Sequence, residues 1–274
     1  MKSSFTPFPF RIAAPTMVYG SDLLTNVERL RSVVRHLEVV LFWTPEKHNI
    51  PSHDQVEILA DRLDRHGLRI TVHLPAALQI AAKEAGLRRW SVEQVESIVE
   101  RMAAIRPLNY VLHVPFTEPT LAPVPGLYFT DRDAERFSGW RRRARKSLTH
   151  LARYAGSGSR LLVENINFSP SFLIPFCREG LCGLCLDIGH LLLGSETVER
   201  VLDTCFPWIE EIHLHGVDGW NEHLGLDILD PARLLRWMNR LAKGGFSGVL
   251  NLEVFSERDL LASVASVERA WNLL

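Results

Sequence analysis

The segment GLCLDIGH, residues 183–190, reads as a buried strand that ends on an acid and a histidine three positions apart. An Asp alone in such a place is ordinarily a helix cap, and a lone His a hydrogen-bonded core residue. Whether Asp187 and His190 are structural or chemical depends on what the rest of the chain does.

Outward from this segment the chain repeats one pattern, a short β-rich run followed by a longer amphipathic one. FRIAAPT (10–16), LEVVLFW (37–43), RITVHLP (69–75), YVLHVPF (110–116), RLLVENIN (160–167), EIHLHGV (211–217) and GVLNLEVF (248–255) join 183–190 to make eight strands. Between them lie helical segments such as SDLLTNVERLRSVVRHL (21–37), SHDQVEILADRLDRHG (52–67) and SVEQVESIVERMAAI (91–105). Each opens on a Ser able to cap a helix, and one closes on Gly. Eight β–α repeats in about 250 residues predict an α/β fold, a single-domain (β/α)8 TIM barrel over residues 1–274. A doubly wound open sheet is the alternative. It needs a glycine-rich turn between a strand and its helix, whereas GSGS (156–159) and GGFSG (244–248) precede strands and read as αβ turns.

The stretch 117–140, TEPTLAPVPGLYFTDRDAERFSGW, is the longest irregular one and is expected to be a loop walling a pocket on the functional face. RRRARK (141–146) follows it. Its main reading is a solvated helix face; Arg141 and Arg142 are the candidates for contact with a phosphate or other substrate group.

Composition is that of a soluble globular protein: 46% of residues are hydrophobic, and the formal net charge is −1, which argues against a polyanion such as nucleic acid as partner. Neither the segment MKSSFTPFPF nor any later one has the apolar length of a signal peptide or a membrane span, so a cytoplasmic location is expected. Cys177, Cys182, Cys185 and Cys205 are too few for a disulfide scaffold, and the C-x4-C-x2-C spacing of the first three is a minor iron–sulfur candidate.

A barrel carries its active site at the C-terminal strand ends. The polar residues there are His73, His113, Glu164, Asp187 with His190, His213, His215 and Glu253, and His223 follows in GWNEHLGL. Six successive strands each contribute at least one. If these side chains converge, the crowded carboxylates call for a divalent cation, and an imidazole–carboxylate set suits Zn, Mn, Fe or Co. No inward Cys is expected at the strand ends. The candidate ligands exceed what one four-coordinate ion can use, so two or more ions are expected.

On these residues the chain resembles the xylose isomerase-like barrels that include endonuclease IV-type enzymes. The resemblance implies that Glu164 in LVENIN, Asp187 and His190 in LDIGH, His213 in EIHLHG and Glu253 in LEVF are metal ligands. Glu164, Asp187, His213 and Glu253 would suffice for a single-metal sugar isomerase; His73, His113, His190 and His223 are the additional positions of the multi-zinc arrangement. That arrangement carries Asp-x-His in the last loop, where NEH places Asn221, a weaker ligand, with Asp218 or Glu222 as candidate replacements. The phrases VHLP, YVLHV, LVEN, LDIGHL, HLHGV and LEVF look most like bacterial cobamide-remodelling phosphodiesterases.

The expected function is therefore metal-dependent hydrolysis of a phosphodiester, in the nucleotide loop of a cobamide, with Glu164, Asp187 and Glu253 as catalytic residues. Asn165, His215, Arg141 and Arg142 are the expected substrate contacts. The alternatives are a sugar isomerase or epimerase using one ion, a DNA-repair endonuclease, and a barrel that binds a ligand without catalysis. The expected partner is a small molecule, a corrinoid or a sugar phosphate.

Overall fold

Each β-rich run forms a strand because its apolar residues pack outward against helices while its partners hydrogen-bond on both sides. The computed structural model describes residues 8–116, 128–194 and 196–274. In chain order the strands are β1 (Arg11–Pro15), β2 (His36–Val40), β3 (Arg69–His73), β4 (Tyr110–His113), β5 (Leu161–Glu164), β6 (Gly183–Asp187), β7 (Ile209–Leu214), β8 (Gly216–Asp218), β9 (Asn221–Leu224) and β10 (Val249–Leu252). All but β8 and β9 close a barrel in the order β1-β10-β7-β6-β5-β4-β3-β2, every pair parallel. The (β/α)8 barrel is thus confirmed. β8 and β9 form an antiparallel hairpin after β7 that the sequence pattern did not separate from it.

The helices α1 (Leu23–Leu30), α2 (His53–His66), α3 (Ala85–Met102), α4 (Ser138–Tyr154), α5 (Ile174–Arg178), α6 (Ile188–Leu193), α7 (Val198–Cys205), α8 (Pro231–Gly244) and α9 (Glu257–Trp271) follow the strands. α2 has the expected limits: Ser52 and Gln55 form a reciprocal capping box, and Gly67 ends the helix at φ +62°. Gly245, at φ +70°, closes α8 in the same way. α1 stops at Leu30, short of the expected 37, because His36 is already paired with Ala13 and Arg69 on the flanking strands. α3 starts before Ser91: Glu84 accepts the amides of Gly86 and Leu87, while the Ser91 hydroxyl is buried and accepts the Gln79 amide at 2.9 Å. No helix among the described residues is long and apolar enough to cross a membrane.

Residues 117–127 of the expected pocket wall lie outside the described residues. The rest of that stretch is not an open loop. Asp131–Phe137 form a 3-10 helix that runs into α4. The aromatic rings of Phe129, Phe137 and Trp140 are buried and pack on Phe116, Phe168 and Phe172, with Phe116 and Phe137 stacked at 4.0 Å. These three rings fill core instead of facing a pocket, since burial of their large surface is the stronger driving force.

Inside the barrel the filling is lopsided. Val111, Leu162 and Cys185 form an apolar cluster on β4–β6. Across from it His36, Glu38, Thr71, Glu211 and Asn251 are buried polar residues on β2, β3, β7 and β10. Thr71 donates to Glu211 at 2.9 Å and lies 3.0 Å from His36 Nε2; Asn251 donates to Glu38. Burial and the nearby Glu38 raise the Glu211 carboxyl to about 8, so it is held protonated at neutral pH.

Candidate metal centre

The layer above these residues is where the strand ends converge. Strand pairing sets His113 beside Glu164, and Asp187 beside His213. The Oε2 atom of Glu164 lies 3.1 Å from His73 Nε2, 3.1 Å from His113 Nε2 and 3.6 Å from His213 Nδ1. His213 Nδ1 is in turn 3.1 Å from Glu253 Oε2 and 4.0 Å from Asp187 Oδ2. His190 Nδ1 is 3.4 Å from both Glu164 Oε1 and Asp187 Oδ2.

Asp187 answers the question raised by its segment, because it is both a cap and a chemical group. One carboxylate oxygen accepts the His190 amide at 2.6 Å and starts α6; the other, Oδ2, is buried without a hydrogen bond. Gly189 is required between them: a Cβ there would come within 2.0 Å of the His215 ring. Asn165 exchanges two hydrogen bonds with the Asp187 backbone, at 3.0 and 2.9 Å. This clamp uses both ends of a fully buried amide, so Asn165 positions Asp187.

Three histidines show one tautomeric design. The Nδ1 atoms of His73, His190 and His223 lie 2.9, 2.9 and 3.1 Å from the carbonyls of Leu74, Asn165 and Glu253. A carbonyl accepts only, so each Nδ1 carries hydrogen and the neutral ring presents an Nε2 lone pair, as metal-binding histidines do. His215 is fully buried; its Nδ1 lies between the Gly216 carbonyl, at 3.2 Å, and the His223 amide, at 2.9 Å, and its Nε2 is 3.4 Å from Asp187 Oδ1.

The imidazoles and carboxylates shift one another's protonation. Burial opposes charge on His73, but its hydrogen bond to Glu164 and the charge of Glu38 lift it to about 9. Burial likewise opposes charge on His190, and Asp187 and Glu164 lift it to about 10. Burial would raise the Glu164 and Glu253 carboxyls, yet the neighbouring histidines, His113 and His213 for Glu164 and His213 for Glu253, hold both well below the usual range. A divalent cation would replace those protons.

The donors fit such ions. The sets His73–His113–Glu164, Glu164–Cys185–His213, Asp187–His190–His215 and His215–His223–Glu253 each keep their ligand atoms within 4.8 Å of one another. Asp187 Oδ2, His213 Nδ1, His215 Nε2 and Glu253 Oε2 are buried with no aligned hydrogen bond, which is costly unless something else satisfies them.

All eight expected ligands therefore meet at one rim. Two residues there were not expected. Glu38 reaches up from β2 to put Oε1 3.0 Å from His213 Nε2, off the ring's N–H axis. The only hint of it in sequence is a lone acid in the apolar run LEVV. Cys185 also points inward, within 4.8 Å of the Glu164 and His213 ligand atoms, correcting the expectation that no inward Cys would be found; burial pushes its thiol up. Cys177 and Cys182 meet elsewhere with their Sγ atoms 3.9 Å apart, and none of the four cysteines forms a disulfide. Arg141 and Arg142 lie on α4, outside the barrel. The Arg141 guanidinium stacks over Phe172 at 5.2 Å and Arg142 is exposed. Among the described residues no contact joins either to the cluster.

A family model described as a xylose isomerase-like TIM barrel matches residues 36–271. The chain belongs to this family. Among solved structures, this xylose isomerase-like barrel is similar to a D-tagatose 3-epimerase-like protein (19% identity, TM-score 0.74, covering 96% of this chain and 98% of the other). It is also similar to D-psicose 3-epimerase from Clostridium cellulolyticum (12%, TM-score 0.71, 96% and 98%). Endonuclease IV from Thermus thermophilus superposes with TM-score 0.70 at 18% identity, covering 96% and 100%. These identities carry the fold alone. No curated protein is significantly similar to the chain in sequence.

Proposed function

We infer that this chain is a metal-dependent hydrolase that cleaves a phosphodiester. The observation that supports it best is the placement of Glu164 Oε2, with His73 and His113 on one side and His213 on the other. One carboxylate is shared between two groups of donors. A one-ion isomerase needs only Glu164, Asp187, His213 and Glu253, and would leave His73, His113, His190 and His223 without a ligand's work.

Divalent ions bound here would supply Lewis acidity and lower the pKa of a water, and two close together would stabilise both the entering and the leaving oxygen. The chain's own residues do the rest. Glu164 spans the donor sets; Asn165 holds Asp187 in place; the backbone carbonyls behind His73, His190 and His223 fix their tautomers. The packed barrel interior below, apolar on β4–β6 and polar but buried across from it, keeps bulk water from the lower side of the site.

The rim suits a substrate with a large apolar face, in keeping with a cobamide. Trp220, at the hairpin tip, is 63% exposed, and Phe255 is 41% exposed with its ring 4.8 Å from His223. Arg141 and Arg142, on α4, have no part in this reading.

A sugar epimerase or isomerase is the second reading. It is favoured by the meeting of Glu164, Asp187, His213 and Glu253 and by the likeness to the two epimerase structures. The deciding experiment measures metal per chain, then incubates the protein with bis(4-nitrophenyl) phosphate, adenosylcobalamin and ketohexoses. Two or more ions with hydrolysis support the proposal, and the product mass from the corrinoid identifies the bond cut. One ion, ketose conversion and no hydrolysis refute it.

A further inference from the structure

We propose that Glu222, not Asn221, is the carboxylate of a third divalent-cation site completed by His190 and His223; this rests on the multi-ion reading of the centre above. In the Asp-x-His pattern, strand alternation puts the first and third residues on one face. By that rule Asn221 would accompany His223. In this chain the rule fails locally, because His223 has φ +57°, a left-handed conformation that breaks the two-residue period.

The consequence is visible in the side chains. Glu222 places Oε2 3.7 Å from His190 Nε2 and Oε1 3.8 Å from His223 Nε2. Asn221 instead is exposed and pairs across the hairpin with Asp218, which is exposed as well. Among the described residues no hydrogen bond joins Asn221 to His190 or His223, and no ion pair joins Asp218 to either.

Both Nε2 atoms are available. The Nδ1 hydrogens of His190 and His223 are taken by the Asn165 and Glu253 carbonyls, so the lone pairs of the neutral rings lie on the side of Glu222. Separations of 3.7 and 3.8 Å are too long for hydrogen bonds. They are close to the spans between two ligands of one ion whose bonds are each about 2.0–2.2 Å. Two imidazoles and one carboxylate form a nitrogen–oxygen set suited to zinc and its first-row neighbours and unsuited to magnesium or calcium.

Glu222 also differs from the deeper ligands in being 39% exposed at its side chain, whereas Glu164 and Asp187 are buried. The third ion is thus expected to be the last bound and the first lost.

The test is zinc content per chain, by elemental analysis of protein stripped with chelator and reloaded with zinc, together with the dissociation constant of the weakest ion by chelator competition. Glu222→Gln is expected to bind one ion fewer than wild type, or to hold its last ion at least about tenfold more weakly, since even partners one shell further out cost tenfold or more. Asn221→Ala is expected to match wild type in both. Both positions are exposed, so the variants fold. Unchanged stoichiometry and affinity in Glu222→Gln, or loss of an ion in Asn221→Ala, overturns the assignment. Wild-type protein that binds two ions removes this site alone; one that binds a single ion removes the multi-ion reading with it. None of these outcomes depends on hydrolysis, so a failure to cleave phosphodiesters is read separately.

Discussion

Gly189→Ala is the most direct probe of how the site is built. A methyl group at this position would lie 2.0 Å from His215 Cε1 and 2.1 Å from Nε2, where ordinary contacts are 3.4 Å or more, so the ring has to move by well over an ångström. The ring is held by the His223 amide at 2.9 Å and faces Asp187 Oδ1 at 3.4 Å, so the move also breaks the hydrogen bond from the His223 amide to this ring. Overpacking costs about 1–3 kcal/mol and the lost hydrogen bond about 0.5–1.5 kcal/mol, together roughly 1.5–4.5 kcal/mol. For a chain of this size that corresponds to a fall in melting temperature of about 3–18 °C. Calorimetry with and without added zinc measures it. The variant should also bind metal more weakly, because Asp187 and His223 are displaced with the ring. His215→Ala combined with Gly189→Ala should recover part of the stability by vacating the space. A Gly189→Ala protein with wild-type melting and full metal content would refute the packing argument.

Other outcomes follow from the charges of the centre. Glu164→Gln should lower metal content by at least one ion per chain and abolish turnover while the barrel stays folded; elemental analysis and circular dichroism check this, and retention of all ions would remove Glu164 as the shared ligand. Because His73 and His190 are raised to about 9 and 10 in the ion-free protein, both carry protons at pH 7 that a metal must displace. Zinc binding at pH 7 should therefore release protons, seen by titration calorimetry in buffers of different ionisation heat, and affinity should increase as pH rises from 7 toward 10. The Glu211 carboxyl, raised to about 8, is more easily protonated folded than unfolded, so its contribution is full below the unfolded value near 4.3 and is lost as pH rises through 8. Glu211→Gln should flatten the decline in stability over that interval, measured by urea midpoints in chelator; an unchanged slope would assign the decline elsewhere.

The barrel and most of its site are legible in the sequence for one reason. Strand alternation and the rule that barrels work at their C-terminal strand ends are local, so His73, His113, Glu164, Asp187, His213 and Glu253 can be collected from linear positions alone. GLCLDIGH shows both the strength and the limit of such reading. It marks Asp187 and His190 as a pair, but not that Gly189 makes room for the ring of His215, just past the end of the next barrel strand.

Contacts between distant segments were decided only by the folded chain. Glu38 comes from β2 to meet His213 on β7, which are not neighbours in the barrel, and the interior across which they meet has no trace in either segment. The aromatics of 128–140 became core because Phe116, Phe168 and Phe172 were there to cover them. The hairpin carries the same lesson at its smallest scale: the spacing NEH points to Asn221, and one left-handed residue, His223, turns Glu222 toward the histidines instead. Periodicity predicts where a regular strand aims its side chains, while a backbone dihedral that departs from the strand is set by the tertiary contacts on either side of it.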